Sequence, residues 1–391
     1  MSTPQSPPIH PPPSSRVDSG LGGSLTPPPL PPRKNRTRLY EGLPSETKAR
    51  VAIVNAASLN QSIFPARYSL NSILGFGSNG VVLSALDVSN PSQSKPVALK
   101  IIYKEFIGHQ PTSSEIEVLL RLQSRTLVPD STASVASSSS HGSNLLEYVQ
   151  HFQDVHHFYL VTNLVMSNWA VTLQDSQLTP LSFKTDSASY SLPFWNGSSD
   201  LYSWNLYHRA HLLATEGHKL LPLMVVKHIV RSIAHALSKL HNDGFYHGDV
   251  KFENVLVECN KEQYEAPTVF LADFGHAKHF TVGIKEYGTF EMSAPDVLSD
   301  SPLAWQERDG RTDDVFALGI LLYTLLSEDG QLPDAVKTRV PYHELVHASS
   351  FPLNRMEDME EDAWDLMQKM VRVDPMQRAT VDQVLSHPWL V

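Results

Sequence analysis

The sequence predicts an α+β fold behind a disordered tail. Three observations carry this. Short β-branched runs broken by glycine and polar residues fill roughly 68–165, the texture then turns mainly helical, and residues 1–34 hold eleven of the chain's 28 prolines. At about 150 residues per domain, 391 residues suit two to three packed units or one large bilobal one.

The proline-rich start has almost no large apolar side chains to offset its ordering entropy. With the basic residues that follow it, it predicts a disordered tail over 1–62 ahead of a folded unit over 63–391. Pro28-Pro29-Leu30-Pro31-Pro32-Arg33 has the P-x-x-P-x-R form that a polyproline II helix offers to an SH3-type groove. The competing reading is a solvated spacer. The cluster from Arg33 to Arg38 similarly reads as a nuclear-import or acidic-partner patch, or as plain solvated charge.

Strands are predicted at Tyr68–Leu74, Gly80–Asp87, Lys95–Tyr103, Leu145–Gln153 and Phe158–Asn163. A helix interrupts them where Ser113 and Ser114 precede apolar residues at helical spacing from Ile116 to Leu120. Residues 131–143 contain seven serines, and 124–143 reads as an insertion between helix and strand. Beyond Val165, Leu223 to His241 forms an amphipathic helix with Val226, Ile229, Val230, Ile233, Ala234, Leu237 and Leu240 on one stripe. Further helices are expected near 313–327, 360–372 and 380–387. Residues 172–221, with Trp195 and Trp204, show no clean period and read as a second insertion with some packing of its own.

Composition excludes several classes. Hydrophobic residues make up 41% and charged residues 18%, which fits neither wholesale disorder nor a strongly basic nucleic-acid binder. Residues 1–50 carry +4 and the remainder −14 of the net −10, so tail and body suit different partners. The longest apolar run, Val315 to Leu326, is 12 residues, short of the ~20 that span a bilayer. No membrane partner is expected. One cysteine, Cys259, forms neither an internal disulfide nor a cysteine-based zinc site, so a reducing compartment, cytoplasmic or nuclear, fits. The adjacent His156 and His157 face opposite sides of a strand and cannot chelate together.

The chemistry starts at Gly75-Phe76-Gly77-Ser78-Asn79-Gly80-Val81-Val82, a G-x-G-x-x-G-x-V loop between two predicted strands. Gly75, Gly77 and Gly80 let backbone N–H groups approach phosphates. A dinucleotide fold would open a helix here, yet a strand follows. Twenty residues on, Val97-Ala98-Leu99-Lys100 sets a lysine in an apolar strand. A buried cation needs a partner, and Glu115 on the following helix is the candidate. The alternative is a surface lysine on an edge strand.

Tyr246-His247-Gly248-Asp249-Val250-Lys251-Phe252-Glu253-Asn254, followed by Asp273-Phe274-Gly275, completes an ordered set that resembles the protein kinase family, on its Ser/Thr branch, over roughly 68–391. The resemblance implies a small β-rich N-lobe (68–165), a larger helical C-lobe (166–391) and ATP with Mg²⁺ in the cleft. It implies that Lys100, paired with Glu115, holds the α- and β-phosphates, and that Asp249 accepts the substrate hydroxyl proton. It further implies that Lys251 meets the transferring γ-phosphate and that Asn254 and Asp273 ligate Mg²⁺. Val82, Ala98 and Leu256 would sandwich the base, with Thr162 behind it and Val165 at the hinge. Downstream, Gly288-Thr289 and Ala294-Pro295-Asp296 are similar to the end of an activation segment. Asp314 matches the acid that steadies the catalytic loop, and Arg378 the partner of Asp296. The close, Leu385 to Leu390, is similar to the calmodulin-dependent-kinase-like group.

Gly248 stands where the family often has arginine. Without that cation, activity is expected not to require a phosphorylated activation segment. The expected activity is transfer of the γ-phosphoryl group of ATP to Ser/Thr hydroxyls of protein substrates. The competing reading is a pseudokinase or scaffold with a proline-rich SH3-binding arm, and the intact polar set argues against it.

Overall fold

The computed structural model describes residues 39–391 apart from 65, 91, 105–112, 127–143, 167–177, 196–198, 260–265, 284–287, 298–307, 338–344 and 346–350. The Pro28–Arg33 motif, the basic cluster after it and the serine-rich stretch 131–143 lie outside these residues.

A five-stranded antiparallel sheet forms the N-lobe: β1 (Tyr68–Phe76), β2 (Gly80–Asp87), β3 (Lys95–Tyr103), β4 (Tyr148–Gln153) and β5 (His157–Asn163), in the order β1-β2-β3-β5-β4. Register decides which residues face the cleft. Val82 pairs with Lys100, Ser84 with Ala98, and Ala98 with Thr162, so these side chains share one face. The opposite face carries Ile73, Leu83, Leu99 and Val161, none more than 1% exposed.

Part of that burial comes from a helix inside the segment expected to be disordered. α1 (Ser45–Leu59) packs against β1, β2 and β3 through Ala49, Ala52, Ile53, Ala56 and Ala57, so the tail over 1–62 ends well before residue 62. The buried positions do recur every three to four residues, but four of the five are alanine. Each adds little apolar area, so the periodic signal is faint beside the prolines and charges that precede it. Asn60 then ties the helix end to the sheet, donating to Ala56 O (2.9 Å), Asp154 Oδ2 (3.0 Å) and Tyr159 Oη (3.0 Å).

α2 (Ser114–Thr126) lies on the cleft face of the sheet and takes in residues 124–126, where the first insertion was expected to begin. Ser113 Oγ caps it, accepting from Ile116 N at 3.3 Å.

In the C-lobe, α3 (Leu201–Glu216), α4 (Leu223–Asn242), α5 (Gly310–Leu326), α6 (Asp334–Lys337), α7 (Glu361–Met370) and α8 (Val381–Leu385) surround two two-stranded pairs, β8 (Phe245–Tyr246) with β11 (Lys278–His279) and β9 (Val255–Glu258) with β10 (Thr268–Leu271). The seven stripe residues of α4 are all buried, and they pack toward α5, α8 and the β9–β10 pair. α5 is apolar all round because it is buried all round; Gly319 lets α7 approach, since a Cβ there would lie 2.8 Å from Val371 Cγ1. Among the described residues no helix is long and apolar enough to cross a membrane.

The stretch 172–221 resolves into parts that its sequence did not separate. β6 (Leu181–Lys184) and β7 (Ser189–Leu192) form a hairpin, and Pro193–Trp195 then adds to the free edge of β1, with Ile73 N donating to Pro193 O and Trp195 N to Ile73 O, each 2.9 Å. α3 packs into the core. Leu201 and Trp204 are 0% and 1% exposed in the core, Asp200 caps the helix by accepting from Ser203 N at 2.7 Å, and Gly217 ends it at φ 78°. Its mixture of Tyr, Trp, His and Asn on both faces hides the helical period.

Candidate active site

The glycine loop is closed by Gly77 N donating to Gly80 O at 2.9 Å. Gly80 is obligatory for packing, because a Cβ there would lie 2.6 Å from Ile101 O. Gly75 and Gly77 meet nothing within 4 Å. Packing does not demand glycine at those two positions, so what they offer is bare backbone turned to the cleft.

Beneath the loop, Lys100 Nζ on β3 lies 2.8 Å from Glu115 Oε2 on α2 and 2.7 Å from Asp273 Oδ1. Burial opposes charge on Lys100, but the carboxylates of Asp273 and Glu115 more than offset it and raise its pKa. Lys100 in turn holds Asp273 well below the usual carboxylate range, whereas burial pushes Glu115 up despite the lysine. Two acids share one cation, and an arriving phosphate would compete for it. Asp273 sits at φ 60°, a left-handed conformation that costs a non-glycine residue about 1–2 kcal/mol. That strain is held by Gly275 N, which donates back to Asp273 Oδ1 at 3.4 Å, and by Phe274, fully buried under α2.

The second cluster forms around Asp249. Its Oδ1 accepts from Thr289 N and Thr289 Oγ1, each at 2.7 Å, and its Oδ2 from Asn254 Nδ2 at 2.9 Å, with Lys251 Nζ 2.8 Å away. Burial alone would raise the pKa of Asp249; the hydrogen bonds from Lys251 and Thr289 outweigh it and hold the group ionised. Asn254 also donates to Asp249 O at 2.8 Å, so its amide fixes the loop. The clusters are joined through the β9 (Val255–Glu258) and β10 (Thr268–Leu271) pair: Ala272 N donates to Asn254 O at 2.9 Å, and His247 Nε2 lies 3.0 Å from Ala272 O.

Asp314 supports this loop from α5. Its carboxylate accepts from His247 N (2.7 Å) and Gly248 N (2.8 Å), and His241 Nε2 is 2.9 Å away. Arg378 Nη2 donates to Asp296 Oδ1 at 2.6 Å, the pairing that the resemblance implies. Val82, Ala98 and Leu256 are part-exposed while their strand neighbours Val81, Leu83, Leu99 and Val257 are buried, which leaves apolar surface facing the cleft. Thr162 and Val165, each 6% exposed, lie at the end of β5.

Three participants went unrecognised in the sequence. Thr289 relays between Lys251 and Asp249, accepting from Lys251 Nζ at 2.9 Å, although only its place in the activation segment was legible. His241 reaches Asp314 from α4. Asp313, buried beside Asp314, accepts from Ala294 N at 2.7 Å and so holds the end of that segment. Burial pushes its pKa from 3.8 up to about 7, with Asp296 and Asp314 adding to the rise and Arg378 opposing it. An acid whose folded pKa is raised stabilises the fold fully below its unfolded pKa, and that contribution is lost as pH climbs toward about 7. Asp313→Asn, which keeps the acceptor and removes the charge, is therefore expected to melt progressively higher than wild type as pH rises from 5 to 8. A melting-temperature difference independent of pH would refute this.

Taken together, the sheet, the glycine loop, the shared lysine and the aspartate-centred loop define a two-lobed fold with a polar cleft between a sheet lobe and a helical one. The family model described as "Protein kinase domain" matches residues 68–390, and the chain belongs to that family. Among curated proteins it is 31% identical over 166 residues to the liver/testis isoform of the phosphorylase b kinase gamma catalytic chain of Bos taurus, covering 41% of this chain and 39% of that one. It is also 31% identical over 189 residues to the serine/threonine-protein kinase PKZ1 of Phytophthora infestans (43% and 45% coverage) and over 176 residues to the serine/threonine-protein kinase RAD53 of Saccharomyces cerevisiae (42% and 21%). The chain thus spans less than half the length of these relatives.

Proposed function

We propose that this chain is an active serine/threonine protein kinase that transfers the γ-phosphoryl group of ATP to hydroxyls of protein substrates. The observation that carries the reading is the convergence of six polar side chains, Lys100, Glu115, Asp249, Lys251, Asn254 and Asp273, into two connected clusters with Lys100 already paired to Glu115. In this reading Lys100 takes the α- and β-phosphates, Lys251 steadies the γ-phosphate, and Asp249 orients the substrate hydroxyl and accepts its proton. Val82 and Ala98 above and Leu256 below hold the base.

The residues fit a magnesium site. Asp273 and Asn254 offer hard oxygen ligands, and Mg²⁺ is commonly held by one or two side chains together with substrate phosphates rather than by an all-protein cage. When bound, Mg²⁺ supplies charge neutralisation on the phosphates.

The test is incorporation of labelled phosphate from ATP and Mg²⁺ into a generic basic protein, beside Lys100→Met. Wild-type activity and its loss in Lys100→Met are expected; equal incorporation in both would remove the enzyme reading.

Activity is further expected not to require phosphorylation of the activation segment. Gly248, at φ 77°, brings no cation, but Tyr246 Oη donates to Gly283 O at 2.9 Å and the Arg311 guanidinium lies 4.3 Å from the Phe280 ring centroid. These neutral and cation–π contacts hold the segment where an arginine–phosphate pair otherwise serves. Phosphatase-treated protein is therefore expected to keep most of its turnover; a tenfold or greater fall would contradict this.

Two further readings rest on sequence. Pro28–Arg33 suits an SH3-type domain, checked by pull-down against a Pro28→Ala, Pro31→Ala double variant. The lone Cys259 and the basic run beside that motif favour a cytoplasmic or nuclear location.

A further inference from the structure

We propose that Arg50 and Phe194, which lie outside the catalytic clusters, are positioning residues that hold the glycine loop in its nucleotide-binding shape. The inference rests on reading the cleft as an ATP site. A glycine-rich loop is conformationally loose, and ordering it on binding costs backbone entropy. Anything that orders it beforehand improves affinity without touching the ligand.

The structure supplies such a brace from two segments outside the five-stranded sheet. Phe76 lies between the first two glycines, and its ring meets that of Phe194 at 5.9 Å with an interplanar angle of 75°, an edge-to-face pair. Phe194 is held in place by backbone, as the bridge partner of Ile73 on the strand that leads into the loop, with hydrogen bonds on both sides of it. On its other side the Arg50 guanidinium lies 5.0 Å from the Phe194 centroid. Arg50 is itself pinned, with Nε donating to Glu46 Oε1 at 2.8 Å and Nη2 to Thr179 O at 2.6 Å. The contact chain runs from α1 through Arg50 and Phe194 to Phe76.

The far end of the same insertion is attached to the other lobe. Val257 N donates to Ser199 O at 2.6 Å, and Asp200 bridges Leu256, the residue assigned to the floor under the base. The segment that braces the loop is therefore anchored to the floor strand as well. A spacer with no role would need neither attachment.

The test is the KM for MgATP and kcat of the full chain, together with equilibrium binding of a non-hydrolysable ATP analogue with Mg²⁺. Arg50→Ala and Phe194→Ala are each expected to raise the KM and the analogue Kd about three- to tenfold, leaving kcat and the KM for protein substrate within about twofold. Phe194→Tyr, which keeps the ring, should restore wild-type values. Because the two side chains act as a unit, the double variant should be no worse than the poorer single one. Unchanged nucleotide affinity in both single variants, multiplicative losses in the double variant, or a fall confined to kcat or melting temperature would overturn the proposal. Should Phe194→Ala not fold, Phe194→Leu, which removes the ring but keeps apolar volume, carries the same expectation. If wild type binds the analogue but transfers no phosphate, the kinase reading fails while the binding ratios still decide this one.

Discussion

Asp249→Asn is expected to lower the rate of phosphoryl transfer by about 10²–10⁴-fold, the usual worth of a positioned general base. The geometry makes the substitution informative. The carboxylate is surrounded by donors: the N–H and Oγ1 of Thr289, Nδ2 of Asn254 and the Lys251 ammonium. Asparagine has the same shape but one acceptor oxygen, so its amide must face either Thr289 or the Asn254–Lys251 side with donor against donor. Catalysis is lost twice over, through the missing base and through the broken Lys251–Asp249 ion pair. Burial of the site within the Asp314-supported loop should keep the fold intact, so melting temperature separates loss of chemistry from loss of structure. Turnover within tenfold of wild type, in a protein that melts normally, would mean that Asp249 is not the base.

The largest effect on stability is expected at Arg209, which has no role in the cleft. This side chain of α3 is 4% exposed and gives its hydrogens to five backbone carbonyls, those of Lys219, Thr324, Leu325, Ser327 and Glu328, and to Asn205 Oδ1. Three of these carbonyls belong to the last turn and C-cap of α5, where helix geometry leaves C=O groups without partners and the dipole favours a cation. Burial lowers its pKa to about 10, which still leaves it charged at neutral pH. Arg209→Met would fill similar space and strand the carbonyls, at a cost of about 3–5 kcal/mol. Arg209→Lys should recover only part, because an ammonium with three donors cannot span the same fork. Urea unfolding measures it, and a loss below about 1 kcal/mol would show that water replaces the guanidinium.

Much of the site was legible because phosphate chemistry demands particular residue types in a chain order that local spacing reveals. The glycine loop, Lys100, Asp249, Asn254 and Asp273 each stand in a short motif, and the strands between them alternate strongly enough to show. What was hidden lacked a local signature. Thr289, His241 and Asp313 act through partners between 19 and 73 residues away. α1 was lost among prolines because its buried stripe is mostly alanine, and α3 because aromatic and polar side chains occupy both its faces.

From residue order alone came the family, the two-lobed plan and the identity of the groups that would handle ATP, since each is written in contiguous motifs. Tertiary structure alone decided how those groups are charged and held. Lys100 is divided between two acids, Thr289 closes on Asp249, and the insertion returns to the edge of β1 and the floor strand. Such contacts depend on which distant backbones the collapsed core brings within hydrogen-bonding distance, and the spacing of residues along the chain does not encode that distance.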